Sequence, residues 1–211
     1  FNKPAGTVYE EWPLENFKEV PYDINLPVHI SLDFGINDPT SIIWIQNTGS
    51  EYRVIDYYEA SNANIDHFVS VIRSKPYKEA ELYTGDFAGN ARTLTTGTSP
   101  IEILATKGIH IRTKSGIKIP DQIRATHQVI PSLYLDRKAE RLRDCLLNYR
   151  YPDLDIEKRS KLDKENEIPI HDEWSHGMRA LEYYVVNVKD FTHEPVYIPR
   201  VEGFGGVNIG G

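Results

Sequence analysis

The sequence predicts a mixed α/β domain, and three observations carry that reading. Between residues 28 and 60 three β-type stretches follow closely on one another, "PVHISLDF", "SIIWIQN" and "SEYRVIDYYEA". After Asn62 the spacing turns helical in "NIDHFVSVIRSK", and "ELYTGDFAG" then returns to a short strand ending at Asp86. The last strongly patterned stretch, "HDEWSHGMRALEYYVVNV", is a long amphipathic helix. A meander followed by alternating helix and strand describes helices laid on a sheet.

Composition narrows the function classes. At 211 residues and 40% hydrophobic content, the chain supports a sizeable core in one large domain or two small ones. With 24 Lys+Arg against 31 Asp+Glu the formal charge is −7, which excludes a globally basic, polyanion-binding surface. Any nucleic-acid contact must be local or metal-assisted. A single cysteine, Cys145, excludes an intramolecular disulfide framework and reads as a helix core residue. No run approaches the ~18 apolar residues of a membrane span, and no basic-then-apolar leader opens the chain. The only methionine is Met178 and the chain opens on Phe1, which predicts a fragment or processed product.

The elements follow in order. Residues 1–27 carry four prolines and one β-like stretch, Thr7 to Trp12, and read as an N-terminal arm packing on the domain. In the first strand Val28, Ile30 and Leu32 alternate with His29, Ser31 and Asp33; Thr48-Gly49-Ser50 separates the second and third strands as a hairpin would. Ile65, Phe68, Val69 and Ile72 form one helical face. "NARTLTTGTSPIEILATKG" is helical in parts, and "IHIRTK" is a strand. "PDQIRATHQVIPSLY" and "DRKAERLRDCLLNYR" read as two helices, the second opening on Asp136 with Arg137, Lys138, Arg141 and Arg143 on exposed faces. Residues 151–169 hold ten charged side chains and read as an exposed hairpin or loop; the tail, 196–211, is Gly-rich and flexible. There is no internal repeat.

On a wheel of about 100° per residue, Trp174, Met178, Leu181 and Val185 form a core stripe of the last helix. Asp172, His176, Arg179 and Tyr183 form a polar stripe opposite. Alone, that stripe reads as an ordinary solvent face with Asp172 or Ser175 as helix cap. Asp33 ends the first strand and Asp86 a later one. Brought together with Asp172 and His176, they offer the oxygen-rich set that Mg²⁺ or Mn²⁺ requires, and two ions so held drive in-line attack on a phosphodiester.

"GTVYEEW", "HISLDFGINDPTSIIWI", "ELYTGDFAGNARTL" and "DEWSHGMRALEYY", in this order and spacing over residues 6–190, resemble the nuclease domain of the large terminase subunit of tailed bacteriophages. The resemblance implies a ribonuclease-H-like fold, a central mixed β-sheet flanked by helices, over residues 28–195. It also implies two-metal cleavage of concatemeric viral DNA during packaging, with two Mg²⁺ or Mn²⁺ ions per site. Asp33 matches the carboxylate that bridges both ions, Asp86 the acidic residue of the second strand, and His176 the histidine of a Ser-His-x-x-Asp-Ala motif. That motif's aspartate is Arg179 here, and a guanidinium cannot ligate a cation. Either Asp172 supplies the third carboxylate or the second metal position is weakened, and Arg179 clamps a phosphate or pairs with the acidic cluster. Asp38 is an outer-sphere ligand or only a turn residue before Pro39.

Lys107, Arg112, Lys114 and Lys118 are the DNA-track candidates, or a solvated loop. Further implied are double-stranded DNA as substrate and a separate N-terminal ATPase domain, since no G-x-x-x-x-G-K-[ST] occurs in this chain. A portal protein, a small terminase subunit and action in the host cytoplasm outside the mature virion are implied as well. Three other readings stay open: another ribonuclease-H-like enzyme such as a resolvase or integrase, an actin-like ATP-binding domain using "LDFGIND", and a catalytically weak DNA- or portal-docking module.

Overall fold

The computed structural model describes residues 6–35, 38–86, 97–153 and 167–189. The expectations for residues 1–5 of the arm, for 87–96, for 154–166 of the polar loop and for the tail lie outside the described residues.

The meander forms as predicted. β1 (His29–Asp33), β2 (Thr40–Asn47) and β3 (Tyr52–Ala60) pair antiparallel in succession, with the β2–β3 turn closed by a 3.0 Å bond from the Thr48 amide to the Glu51 carbonyl. α1 (Ile65–Ser74) starts where the Asn64 side chain accepts the His67 amide. It delivers the chain to β4 (Leu82–Gly85), which lies parallel to β1. α2 (Pro100–Thr106) opens on a Ser99–Glu102 capping box, and β5 (Ile111–Arg112) then adds parallel to β4.

Beyond β5 the structure differs from the sequence reading. α3 (Ile119–His127) stops before the predicted end of its helix; a 3-10 turn at Ile130–Ser132 and a strand, β6 (Leu133–Leu135), follow. Pro131 has no amide to donate and breaks the helix, which frees Leu133 and Leu135 to pair parallel with β3. Asp136 caps a 3-10 turn at Arg137–Ala139, and α4 (Glu140–Asn148) begins after it. The last helix among the described residues, α5, spans Ser175–Val188 and so begins after Asp172. Among the described residues the sheet order is β5-β4-β1-β2-β3-β6.

Alternation along β2 divides the core. Ile43 and Ile45 face the layer built from α3, α4 and α5, whereas Ile42 and Trp44 face α1 and α2. The first part of the arm belongs to the first layer, where Tyr9 and Trp12 are fully buried and the Trp12 indole donates to the Leu133 carbonyl at 2.9 Å, while Val20 and Tyr22 join the second. The β-like stretch expected at Thr7 to Trp12 is reduced to one bridge, Thr7 with Arg150, because the chain turns so that the Trp12 amide reaches the Tyr9 carbonyl. The basic side chains around α4 are absorbed by neighbours. Arg137 and Arg143 stack on Phe17, while Arg141 pairs with Glu59 and Glu173 and stacks on Trp174.

α5 crosses the sheet, tied at its middle by a 2.7 Å bond from the Ser31 hydroxyl to the Ala180 carbonyl. Both of its stripes are buried, since His176 and Tyr183 are enclosed along with Met178 and Leu181. Gly177 permits its approach to α4: a Cβ there would lie 2.8 Å from Leu142 Cδ1 and 3.0 Å from the Tyr57 hydroxyl. Gly177→Val is therefore expected to lower unfolding stability by about 1–3 kcal/mol, read as a lower urea midpoint at unchanged slope.

Candidate metal centre

Parallel pairing of β1 with β4 aligns Leu32 with Gly85, so Asp33 and Asp86 are the next residues outward on two adjacent strands. Both carboxylates reach a cleft of about 450 Å³ at the C-terminal ends of these strands, lined also by Asp38, His171, His176 and Arg179. Gly35 shapes its rim, because a Cβ on that residue would lie 2.1 Å from the Asp38 carbonyl oxygen. The Gly35 amide donates to Thr40 Oγ1 at 3.1 Å, which ties the chain after β1 to the start of β2.

Asp33 is buried, and its Oδ2 lies 3.1 Å from His176 Nδ1 on the first turn of α5. Burial raises the Asp33 carboxyl above its ordinary value; the bond to His176 opposes that rise and the nearby Asp86 charge adds to it. The same bond to Asp33 holds His176 above the usual imidazole value against its own burial. Ahead of α5, His171 Nε2 lies 3.3 Å from Asp38 Oδ2, and its ring meets the His176 ring edge-on at 5.0 Å.

Two predicted site residues are engaged elsewhere. Asp172 does not line the cleft: its carboxylate accepts the Trp174 amide at 3.0 Å and lies 3.3 Å from Arg150. The expectation that it replaces the third carboxylate is corrected by that geometry, since α5 starts at Ser175 and leaves Asp172 in the preceding turn. Arg179 lines the cleft, but its guanidinium is committed inward to Glu182, Gln122 and Tyr183 and stacks on the Tyr183 ring. Glu182 is wholly buried and also accepts the Tyr9 hydroxyl at 2.8 Å. Burial works against the Arg179 charge, but Glu182, Tyr183 and Tyr149 outweigh it and raise the guanidinium further. Burial pushes Glu182 upward, with Arg179 and Tyr9 pulling it back. Arg179 is thus the counter-ion of a buried glutamate.

The basic candidates are dispersed. Lys107 pairs with Asp66 at 2.7 Å on the α1–α2 side of the sheet, and Lys114 donates to the Lys189 carbonyl at 2.8 Å. Arg112 is exposed on β5 opposite Thr84, and Lys118 lies at the start of α3, next to Ile119 of the cleft lining. The sequence reading missed His171 and Glu182. His171 had only its place five residues before His176 to mark it, whereas Glu182 stood three residues after Arg179, the spacing of a helical ion pair.

The donor set suits a divalent cation. Carboxylates from two strand ends and imidazoles from the base of a helix converge on one cleft, and close carboxylates repel one another without a cation. A mixed sheet with an antiparallel meander, two further parallel strands and acidic groups at the ends of β1 and β4 is a ribonuclease-H-like fold. Solved large-terminase structures share it. The nuclease domain of the P22 large terminase superposes with a TM-score of 0.65 at 14% identity, over 86% of this chain and 92% of that one. The large-terminase nuclease of the thermophilic phage G20c with bound cobalt gives 0.57 at 15% identity, over 87% and 98%. The large terminase of another thermophilic bacteriophage gives 0.67 at 14% identity, over 87% of this chain and 45% of that one, so this chain spans less than half of it. No protein-family model matches the chain, and no curated protein matches it in sequence.

Removing one partner of the buried pair gives a direct test of the role assigned to Arg179. Glu182→Leu strands the guanidinium and is expected to cost about 3–5 kcal/mol in urea unfolding. The double variant Arg179→Met with Glu182→Leu is expected to recover most of that loss, whereas an Arg179 that contributed nothing to folding would show no such recovery.

Proposed function

We propose that this chain is the metal-dependent nuclease domain of a large terminase, cutting concatemeric double-stranded DNA during viral genome packaging. The observation that carries the reading is the placement of Asp33 and Asp86 on adjacent parallel strand ends, in a cleft shared with His176. The terminase nuclease fold supports it, and the G20c nuclease structure holds cobalt.

In this reading Asp33 and Asp86 hold divalent cations, Mg²⁺ or Mn²⁺, on the floor of the cleft. When bound, two such ions supply Lewis-acid charge that activates a water and offsets the charge developing on the scissile phosphate. Asp33 accepts the Nδ1–H of His176 and so orients both its own carboxylate and the imidazole. His176 Nε2 is thereby left for a cation or for proton transfer. Arg112 on β5 and Lys118 at the start of α3 contact the DNA backbone; Lys107 and Lys114, already paired, contribute less.

An ATPase domain elsewhere in the full protein, a portal protein and a small terminase subunit complete the proposed machine, working in the cytoplasm of the infected host. Among the described residues no helix is long and apolar enough to cross a membrane. A catalytically weak docking module is the second reading, favoured by one observation: position 179 offers a committed guanidinium where a third carboxylate is expected.

Supercoiled plasmid incubated with the chain and Mn²⁺ is expected to be nicked and linearised, and a chelator stops the reaction. Asp33→Asn and Asp86→Ala are each expected to slow cutting on the order of a hundredfold or more, with circular dichroism unchanged. Plasmid that stays intact at every protein concentration favours the docking module. Asp172→Ala is expected to retain cutting within about threefold, because its carboxylate is engaged by Arg150 and the Trp174 amide.

A further inference from the structure

We infer that Asp38, His171 and His176 form a second, nitrogen-rich cation position beside the Asp33–Asp86 carboxylate pair, taking the place of the third carboxylate that Arg179 displaces. The inference rests on the metal-dependent reading of the cleft and assigns its remaining ligands. One ligand atom from each of the three residues falls within 4.8 Å of the others. Ligands of a single ion at about 2.1 Å stand roughly 3.0–3.4 Å apart, so small side-chain rotations close the set.

The hydrogen bonds around His171 point the same way. The Ser175 hydroxyl donates its one proton to the Asp172 carbonyl at 2.7 Å, so toward His171 Nδ1, 3.3 Å away, it acts as an acceptor. A ring with its hydrogen on Nδ1 meets that acceptor and leaves Nε2 as the nitrogen able to bind a cation. Nε2 faces Asp38 Oδ2 at 3.3 Å, and a ring nitrogen and a carboxylate oxygen so placed are held together by a positive centre. A proton or a metal ion fills that role. A third donor favours the metal: His176, held through its Nδ1 contact with Asp33, sets its ring edge-on to that of His171 at 5.0 Å and has a ligand atom within 4.8 Å of those of Asp38 and His171. A carboxylate holding one ring nitrogen while the other binds the ion is the usual second contact of a metal-bound histidine.

The two positions differ in chemistry. Asp33 and Asp86 are hard oxygen donors suited to Mg²⁺ or Mn²⁺, whereas two imidazoles and one carboxylate favour Co²⁺, Zn²⁺ or Mn²⁺ over Mg²⁺. His171 and Asp38 are exposed at the mouth of the cleft, open to incoming ions.

The test is Co²⁺ binding to the metal-free 211-residue chain, followed by equilibrium dialysis, visible absorption and the paramagnetically shifted imidazole N–H proton signals. The unsubstituted chain is expected to bind two ions and to show shifted signals from two histidines. His171→Ala is expected to lose one ion, or to bind it at least about tenfold more weakly, together with one shifted signal. His171→Asp is expected to restore the ion without the signal and to move preference toward Mg²⁺. Asp33→Asn with Asp86→Ala is expected to keep the ion that depends on His171.

Unchanged stoichiometry, affinity and signals in both His171→Ala and Asp38→Ala overturn the inference; His171 and Asp38 then share only a proton. In that outcome cation binding lost in the Asp33→Asn, Asp86→Ala chain leaves the nuclease reading standing. A folded chain that binds no Co²⁺ at millimolar concentration overturns the inference and the metal-dependent reading together.

Discussion

The parallel register of β1 and β4 is the constraint on which the cleft depends. Because the two strands run the same way, Leu32 and Gly85 sit side by side and the chain leaves the sheet at the same level on both. Asp33 and Asp86 follow at once, so their proximity is fixed by main-chain pairing before any side chain chooses a rotamer. A one-residue slip would send one carboxylate into the apolar layer on the other face. α1 makes the register possible, since a parallel neighbour requires a crossover, and Phe68, Val69 and Ile72 seat that crossover on the sheet.

α5 completes the site at the cost of enclosing polar groups. Its base presents His176 to Asp33, and for the helix to lie this low Gly177 must carry no side chain and the polar stripe must be buried. Glu182, Arg179, Tyr183, Gln122 and Tyr9 answer one another's hydrogen-bonding needs across the arm, α3 and α5. The arm is therefore structural: Tyr9 and Trp12 close the layer beneath α5, and Tyr9 satisfies its buried glutamate. Arg179 is where folding and ligation compete for one position, and folding holds it.

Much of this was legible in residues 28–86, where period-two apolar alternation and a single helical face specify strands and helix without long-range help. Asp33 and Asp86 stood out because each ended an apolar strand. The reading faltered where tertiary contacts decide. "QVIPSLYL" has helical neighbours, and only pairing with β3 makes Leu133–Leu135 a strand. The wheel of α5 separated apolar from polar residues correctly, but polarity was taken as exposure, and ion pairing inside the molecule removes that link for Arg179 and Glu182. Asp172 was placed on the helix because its spacing fits; Ser175 opens the helix three residues later. His171 gave no periodic signal, since residues of a turn are aligned by the turn rather than by a repeat.

The two margins of the sheet bear on how copies of this domain meet. β5 is only two residues long and carries exposed Arg112, and β6 is three residues long with its outer side bridged by Phe17 and capped by the Lys18 amide on the Leu135 carbonyl. Among the described residues, neither margin offers the long, flat row of unpaired peptide groups that recruits a strand from another molecule. Short margins of this kind disfavour sheet-to-sheet joining of crowded copies, so association would fall to faces made of side chains.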